Sequence, residues 1–390
     1  MTIFLITIIY LCFVSLGLPD SLLGAAWPSI HTSMNLDSSL VSFIALTITL
    51  FTTISTLFTP KLVNKITTKY VVIISIVLTI IGLVGFSFCT QFYMFFIFAL
   101  PYGLGAGAID AALNAYVAKY YSARVMNFLH CFYGLGAIIS PNIMALAITY
   151  THWGDGFLWT SFIQMGILVC VIASIPLWKI NLNKDGKEEE KEQLISFKDA
   201  FKMKGVIFTL IAFFLYCSAE GVVFLYTSSF YAEIHPYIGE ELIAAFGSLV
   251  FLGLMVGRII SGIISSRVND KWLIRGGVVV SLIGVILISI PLNNVIPSVI
   301  GFVILGAGMG PIYPSIQHLA PINFSKKASA TIIALQMTFA YTGFTVFPVV
   351  FGFMQQYISM WLLPIFMFLL LGLSGLFMEI TYLKIKRRNN

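Results

Sequence analysis

Four ionisable side chains lie inside long apolar stretches of this chain, where an ionised group is costly. They are Asp20, Asp110, Glu220 and Arg258. An ionised side chain that faces lipid costs about 2.5–3.5 kcal/mol on insertion scales, so we expect each one to face the protein interior or a water-filled cavity. A carboxylic acid held away from water favours its neutral form, so it can bind a proton from one side of a membrane and release it to the other. We therefore predict that Asp20, Asp110 and Glu220 are proton-coupling residues.

Two other interpretations of these charged residues stay open. Each carboxylate could instead be a structural hydrogen-bonder that holds a neighbouring helix. For Arg258, in VGRIISGIISSRVNDK, we favour bracing of an inner gate or pairing with a carboxylate over contact with a substrate.

The stretch around Asp110 has a pattern typical of a helix that lines a cavity. Small residues recur there at every fourth position, and they are Gly103, Gly107, Ala111 and Ala115. Such a ridge lets the backbone of another helix approach closely. Asp110 and Asn114 lie four residues apart on the adjacent strip. One face is therefore predicted to pack, and its neighbour to offer a carboxylate and an amide to polar ligands.

Neutral polar and aromatic side chains in the apolar runs suit a small hydroxylated ligand. Amides and imidazoles donate and accept hydrogen bonds as hydroxyl groups require, and aromatic rings can stack on the apolar face of a sugar. The substrate-binding candidates are Asn114, His130, Asn142, Gln164, Gln317 and Gln336, with Trp27, Tyr226 and Tyr313. For a lone histidine such as His130, an interhelical hydrogen bond is the alternative.

The composition indicates that these residues lie in an integral membrane protein. Of 390 residues, 59% are hydrophobic and only 10% are charged, too apolar for a soluble domain. Continuous apolar runs predict membrane-spanning helices rather than the alternating strands of a barrel. The twelve runs lie near residues 3–30, 38–60, 70–90, 92–118, 126–149, 157–178, 205–231, 241–265, 273–292, 296–320, 328–354 and 359–383.

The basic residues predict the orientation of the chain in the membrane. All of the 22 Lys and Arg residues except Arg258 fall at ends that the positive-inside rule places in the cytoplasm. We expect a multi-pass protein of the cell membrane with both termini cytoplasmic and the first run retained as a helix. The same asymmetry accounts for the net charge of +6, so nucleic-acid binding is not expected.

A polar segment and an internal repeat predict two halves. Residues 179–204 read as a cytoplasmic linker between an N-terminal six-helix half, 1–178, and a C-terminal half, 205–390. A shift of roughly 200 residues aligns several motifs and places Asp20 opposite Glu220. The predicted fold is therefore all-α, with twelve transmembrane helices in two pseudo-symmetric six-helix halves. Major facilitator transporters share this architecture, with a substrate site near the midplane.

Several motifs resemble the fucose and hexose:proton symporter family of the major facilitator superfamily. They are PDSLLGAAWP, GAGAIDAALNAYVA, MNFLHCFYGLGAI, GRIISGIISSRV and IYPSI. The resemblance implies proton-coupled sugar import, with Asp20 and Asp110 as the coupling carboxylates and Asn114 as a sugar contact. At 110 the family usually has glutamate. The superfamily signature after the eighth run keeps Arg267, which we assign with Arg258 to gating or structure, but has Ser266 for its acid.

The remaining alternatives come from other functions. A proton-driven exporter of the same fold, moving a drug or metabolite outward, is the runner-up. An enzyme is disfavoured because the acids, the five histidines and the five cysteines stand singly along the sequence, without metal-ligand or nucleophile spacing. No cofactor is implied. The expected partners are a small solute such as a sugar, protons and the lipid bilayer, and we expect a monomer.

Overall fold

A computed structural model describes residues 2–121, 123–179, 195–265, 267–292, 294–324 and 326–389. Within those ranges the protein is all-α, with short 3-10 turns at Ser38–Leu40, Ile175–Lys179 and Pro236–Ile238. The α-helices are α1 (Thr2–Asp20), α2 (Leu22–Ser33), α3 (Val41–Ile66), α4 (Thr68–Ser87), α5 (Phe92–Tyr120), α6 (Ala123–Tyr150), α7 (Trp153–Ala173), α8 (Phe197–Lys202), α9 (Val206–Ile234), α10 (Glu240–Phe246), α11 (Leu249–Ile264), α12 (Asp270–Ile288), α13 (Ile296–Met309), α14 (Ile312–Phe324), α15 (Lys326–Tyr357) and α16 (Leu362–Asn389).

Twelve helical segments in the described part of the chain are long and apolar enough to cross a membrane, which confirms the number predicted from hydropathy. Three of these spans are each built from two consecutive helices, namely α1 with α2, α10 with α11, and α13 with α14. The last break falls at Pro311, which lacks the N–H that would continue the backbone ladder. Most of the predicted linker, residues 180–194, lies outside the described residues.

The chain folds as two compact units. The first comprises Met1–Gly186 with Leu225–Phe251, and the second comprises Lys187–Phe224 with Leu252–Asn390.

Close helix packing in the first unit depends on glycines. A Cβ added to Gly103 would overlap the carbonyl oxygen of Ile48, and one added to Gly107 would overlap that of Thr52. These contacts confirm the predicted small-residue ridge on α5 at Gly103 and Gly107, where α5 packs against α3. Gly17 of α1 and Gly136 of α6 allow a similarly close approach.

Glycines also join α11 to α13 in the second unit. A Cβ on Gly257 would overlap the Ala307 carbonyl oxygen, and one on Gly310 would lie 2.8 Å from the backbone nitrogen of Arg258. The backbone around Arg258 is therefore held directly against α13.

Two proline-bearing helices in the first unit are completed by side chains from other helices. A proline removes the N–H that would donate to the carbonyl four residues earlier, which is Ser15 for Pro19 in α1 and Ala137 for Pro141 in α6. The Gln164 amide donates to the Ser15 carbonyl oxygen at 2.5 Å. The Ser21 hydroxyl donates to the Ala137 carbonyl oxygen at 2.7 Å. Since lipid supplies no hydrogen bonds, these side chains satisfy backbone groups that would otherwise lack a donor.

Candidate functional site

The first candidate cluster forms where the first membrane span breaks between α1 and α2. Asp20 is the last residue of α1, and its side chain is exposed. The Tyr133 hydroxyl of α6 donates to Asp20 Oδ2 at 2.8 Å. Because Ser21 is also bonded to α6, the carboxylate is held at a fixed point on that helix.

Asp110 and Asn114 complete this N-terminal cluster from α5. The Asn114 amide donates to Asp110 Oδ1 at 2.7 Å, and both side chains are half-buried. The i, i+4 spacing that placed them on one strip of the helix thus joins them directly. Asp20 and Asp110 are also close enough for their carboxylates to interact electrostatically.

Two oxygen atoms of the α5 pair remain available to a ligand. Among the described residues, no hydrogen bond is donated to Asp110 Oδ2 or to Asn114 Oδ1. Both atoms can accept hydrogen bonds from hydroxyl groups. The pair therefore offers the acceptors that a hydroxylated solute needs.

The second candidate cluster lies in the other unit and contains a buried ion pair. Arg258 Nη2 of α11 lies 3.8 Å from Glu220 Oε1 of α9, and the two side chains are 17% and 5% exposed. The Tyr216 hydroxyl, one turn before Glu220, lies 3.2 Å from Glu220 Oε1 and 3.0 Å from the Met309 carbonyl oxygen of α13. This C-terminal cluster therefore joins three helices through one carboxylate, one guanidinium and one hydroxyl.

Tyr313 and Gln317 of α14 lie beside this cluster. The Tyr313 ring packs against Phe213 with centroids 4.9 Å apart and against Tyr216 at 6.4 Å. The Gln317 amide donates to the Tyr313 hydroxyl at 3.4 Å. The structure thus brings two of the predicted substrate-binding residues to the neighbourhood of Glu220.

Three other predicted substrate-binding residues are fully buried and make contacts inside the first unit. Gln164 satisfies the Ser15 backbone of α1 and also pairs with the Ser15 hydroxyl. The Trp27 indole donates to the Ser38 carbonyl oxygen at 2.8 Å. Tyr226 hydrogen-bonds the Ser42 side chain. These contacts give each residue a packing role at the position where the structure places it.

The remaining candidates are scattered. His130 is half-buried, and its ring lies perpendicular to the Phe13 ring with centroids 5.7 Å apart. The Asn142 amide donates to the Ile138 carbonyl oxygen of its own helix. Arg267 is exposed just after α11. Gln336 is fully buried in α15, and neither atom of its amide has a hydrogen-bond partner in the described part of the structure.

Tyr133 and Tyr216 are functional candidates that sequence reasoning missed in these roles. Tyr216 lies four residues before Glu220, so its helical spacing was a usable signal. Tyr133 donates a hydrogen bond to a residue on another helix, and no local sequence pattern predicts such a contact.

Within the described residues, no group of three or more His, Cys, Asp or Glu side chains could hold a metal ion. Both clusters can bind protons and exchange hydrogen bonds with a polar solute.

A family model described as Major Facilitator Superfamily matches residues 9–348 and 234–389. Together these matches cover nearly the whole chain. They confirm the superfamily level of the resemblance drawn from the sequence motifs.

Three curated relatives share low identity over most of the chain. A "Glucose/mannose transporter" of Bacillus subtilis (strain 168) is 24% identical over 69% of this chain and 68% of its own length. "Bypass of stop codon protein 6" of Saccharomyces cerevisiae is 20% identical over 74% of this chain and 64% of its own length. An "Uncharacterized MFS-type transporter" of Yersinia pestis is 23% identical over 67% and 65%. The matches thus cover just under two thirds of the yeast and Yersinia proteins.

A solved structure shares the fold. It is the crystal structure of a bacterial homologue of the human lysosomal transporter Spinster, inward-facing and unoccupied, with a TM-score of 0.73 and 10% identity. The match covers 98% of this chain and 96% of that one. The predicted major facilitator fold of twelve transmembrane helices is confirmed.

Proposed function

The chain is a transporter of the major facilitator superfamily, and from that premise we propose that it imports a sugar or a similar small hydroxylated solute together with protons. Import proceeds by alternating access in the cell membrane, with both termini cytoplasmic and the chain acting as a monomer. The proposal assigns the chain no enzymatic reaction and no cofactor.

The observation that carries proton coupling is the N-terminal cluster. Asp20 and Asp110 interact electrostatically, and the hydrogen-bond partners found for them, Tyr133 and Asn114, are neutral. Among the described residues no cation pairs with either carboxylate, so a proton is the counter-charge available to them inside the membrane. Changes in water access during alternating access then load and unload that proton.

Two observations support a hydroxylated solute. Asp110 Oδ2 and Asn114 Oδ1 are available acceptors beside the proposed proton site, so protonation of Asp110 directly changes what the solute meets. The Bacillus relative is named a glucose/mannose transporter. A hexose is therefore the first class of solute to test.

The test is uptake of labelled hexoses and deoxyhexoses into liposomes containing the full chain, driven by an inward proton gradient. We expect one or more sugars to accumulate in the wild type. In Asp110→Asn, gradient-driven uptake should be lost while counterflow exchange survives, because the amide still hydrogen-bonds the solute but cannot release a proton. Asp155→Asn is a matched control outside both clusters and should behave as wild type.

Two results would contradict this proposal, each in a different part. Failure of every sugar to accumulate, together with proton-linked movement of unrelated lipophilic compounds, would replace this proposal with the exporter alternative. Accumulation that persists in Asp110→Asn would remove Asp110 from the coupling step.

A further inference from the structure

We propose that the solute carries a carboxylate group, which binds Arg258 in place of Glu220 when Glu220 takes up a proton. This inference rests on the proposed proton-coupled import and narrows its substrate class from hydroxylated solutes in general to sugar acids and similar hydroxylated carboxylates.

The first observation concerns the hydrogen-bond donors of the Arg258 guanidinium. Glu220 Oε1, at 3.8 Å from Nη2, lies beyond hydrogen-bond distance. No other acceptor for the guanidinium is found among the described residues. Arginine offers five N–H donors in a planar fork that matches the two oxygens of a carboxylate. With 17% of its side chain exposed, Arg258 can be reached by such a ligand.

The second observation is the set of charged and titratable groups that face Glu220. From α9 they are Tyr216 and Cys217, and from α11 the group is Arg258. From α13 the cluster receives the backbone carbonyl of Met309. α15 presents Phe344 and Pro348 to the backbone of Gly221. Within the described structure, Arg258 is the cation that balances Glu220.

This balance restricts how Glu220 can take part in coupling. If Glu220 binds a proton with nothing else changed, Arg258 is left as an uncompensated cation inside a membrane span, which is unfavourable. A solute carboxylate that binds Arg258 at the same time restores neutrality. The proton moves from water to a Glu220 oxygen, and no covalent bond of the solute changes. One proton on Glu220 thus crosses with each carboxylate, in addition to the proton proposed for the N-terminal cluster.

Tyr216 gives the proton on Glu220 a defined place. The single hydrogen of its hydroxyl faces two acceptors, Glu220 Oε1 and the Met309 carbonyl oxygen. When Glu220 is neutral, its own O–H can donate to the Tyr216 oxygen, and Tyr216 then donates to Met309. Each donor in this series of hydrogen bonds has an acceptor, so the C-terminal cluster accommodates neutral Glu220 without a new partner.

A neutral sugar would use the cluster differently. It could accept a hydrogen bond from Arg258, but it could not replace the charge of Glu220. Glu220 would then stay ionised, and proton coupling would depend on Asp20 and Asp110 alone. Comparing a neutral sugar with its carboxylate analogue therefore tests whether Glu220 takes part in proton coupling.

The test compares hexoses with the matching uronates, in which a carboxylate replaces the terminal hydroxymethyl group. The probes are glucose with glucuronate and galactose with galacturonate, binding to the purified full chain at several pH values. We expect at least one uronate to bind at least tenfold more tightly than its hexose. Its dissociation constant should rise with pH, by up to tenfold per pH unit where Glu220 of the free protein is ionised, because one proton binds to Glu220 with each anion.

Variants then assign the effect to the ion pair. Glu220→Gln mimics the protonated acid, so uronate binding should remain tight and lose its pH dependence. Arg258→Gln alone leaves a buried carboxylate unpaired and could fail to fold. The double variant Glu220→Gln with Arg258→Gln keeps the cluster neutral, and it should fold but bind uronate at least tenfold more weakly. The matched control is Glu379→Gln with Arg275→Gln, which also replaces both members of one ion pair, outside the cluster, and it should bind as wild type.

The outcomes keep this inference separate from the proposed function. Uronate binding that depends on Arg258, without gradient-driven uptake of any solute, would support the inference and overturn proton-coupled import. Proton-driven uptake of hexoses without binding of any uronate would overturn the inference and leave the import proposal standing. Uronate binding unaffected in the double variant would also overturn it.

Discussion

The three membrane carboxylates differ in the charge of their partners. Asp20 and Asp110 have neutral hydrogen-bond donors, Tyr133 and Asn114, whereas Glu220 has the cation Arg258. A proton added to the N-terminal cluster reduces repulsion between two acids, but a proton added to Glu220 breaks a buried pair. The same chemical group is therefore expected to serve two tasks. The N-terminal cluster binds a proton directly, whereas Glu220 binds a proton only when a solute carboxylate replaces it at Arg258.

Replacing Tyr216 with phenylalanine tests the hydrogen bonds of the C-terminal cluster apart from transport. Glu220 and the Met309 carbonyl both lose their shared donor in a buried site. We expect Tyr216→Phe to reduce stability by about 1–3 kcal/mol, measured as a lower thermal midpoint in detergent. Tyr93→Phe, at an exposed ring, is the matched control. Equal midpoints for the two variants would mean that the Tyr216 hydroxyl does not hold the cluster together.

The local part of each cluster was predictable from the sequence, and the long-range part was not. Asp110 and Asn114 are four residues apart on one helix, so their hydrogen bond follows from helical geometry. The partners of Asp20 and Glu220 lie on other helices, and only tertiary packing brings Tyr133 and Arg258 to them. The sequence indicates that Arg258 could pair with a carboxylate, but spacing alone cannot show which carboxylate it meets or which tyrosine of α6 meets Asp20.

At the scale of the helices, the proline positions explain which polar side chains are structural. Ser21 donates to the Ala137 carbonyl oxygen, which Pro141 leaves without its usual backbone donor. We expect Ser21→Ala to reduce stability by about 1–3 kcal/mol because that buried acceptor loses its donor. In a Pro141→Ala background the backbone N–H returns, so the cost of Ser21→Ala should be smaller. A double-mutant cycle of thermal unfolding measures the difference.

An equal cost of Ser21→Ala in both backgrounds would contradict this explanation. The hydroxyl would then act through its second contact, the Ser140 hydroxyl at 2.8 Å. Ser140→Ala separates the two contacts, because it removes Ser140 and leaves the Ala137 carbonyl bond in place.

The helices themselves were largely predictable, and their breaks were predictable only in part. Long apolar runs gave twelve spans because lipid accepts little else. Pro311 signals the break between α13 and α14, and Pro19 lies next to the break after Asp20. The bonds from Ser21 to α6 at that break are not visible in the sequence. Gln164 has the chemistry of a sugar contact, yet it lies where the Ser15 carbonyl requires a donor. A polar side chain is needed for the fold where the packed helices leave a backbone carbonyl without a hydrogen-bond donor. The sequence alone does not show where those carbonyls are.

At the scale of the whole molecule, the distribution of basic residues predicts how the chain is oriented. The test introduces one cysteine at a time into a variant lacking the five native cysteines. Glu241→Cys, in the first turn of the eighth span, should react with a membrane-impermeant maleimide in intact cells. Lys198→Cys, in α8, should react only after permeabilisation, since the positive-inside rule places it in the cytoplasm. The reverse labelling pattern would invert the topology and the direction of transport proposed above.

The hydrogen bonds at the two prolines also set the axial register of the first unit. Gln164 of α7 and Ser21 after α1 each engage a single backbone carbonyl on a neighbouring helix. If α1 slid by one turn along α6 or α7, both carbonyls would lose their donors at a depth where no water replaces them. Sliding is therefore more costly than tilting for these three helices. We therefore expect them to move as one body when the protein changes state, with Asp20 keeping its hydrogen bond to Tyr133.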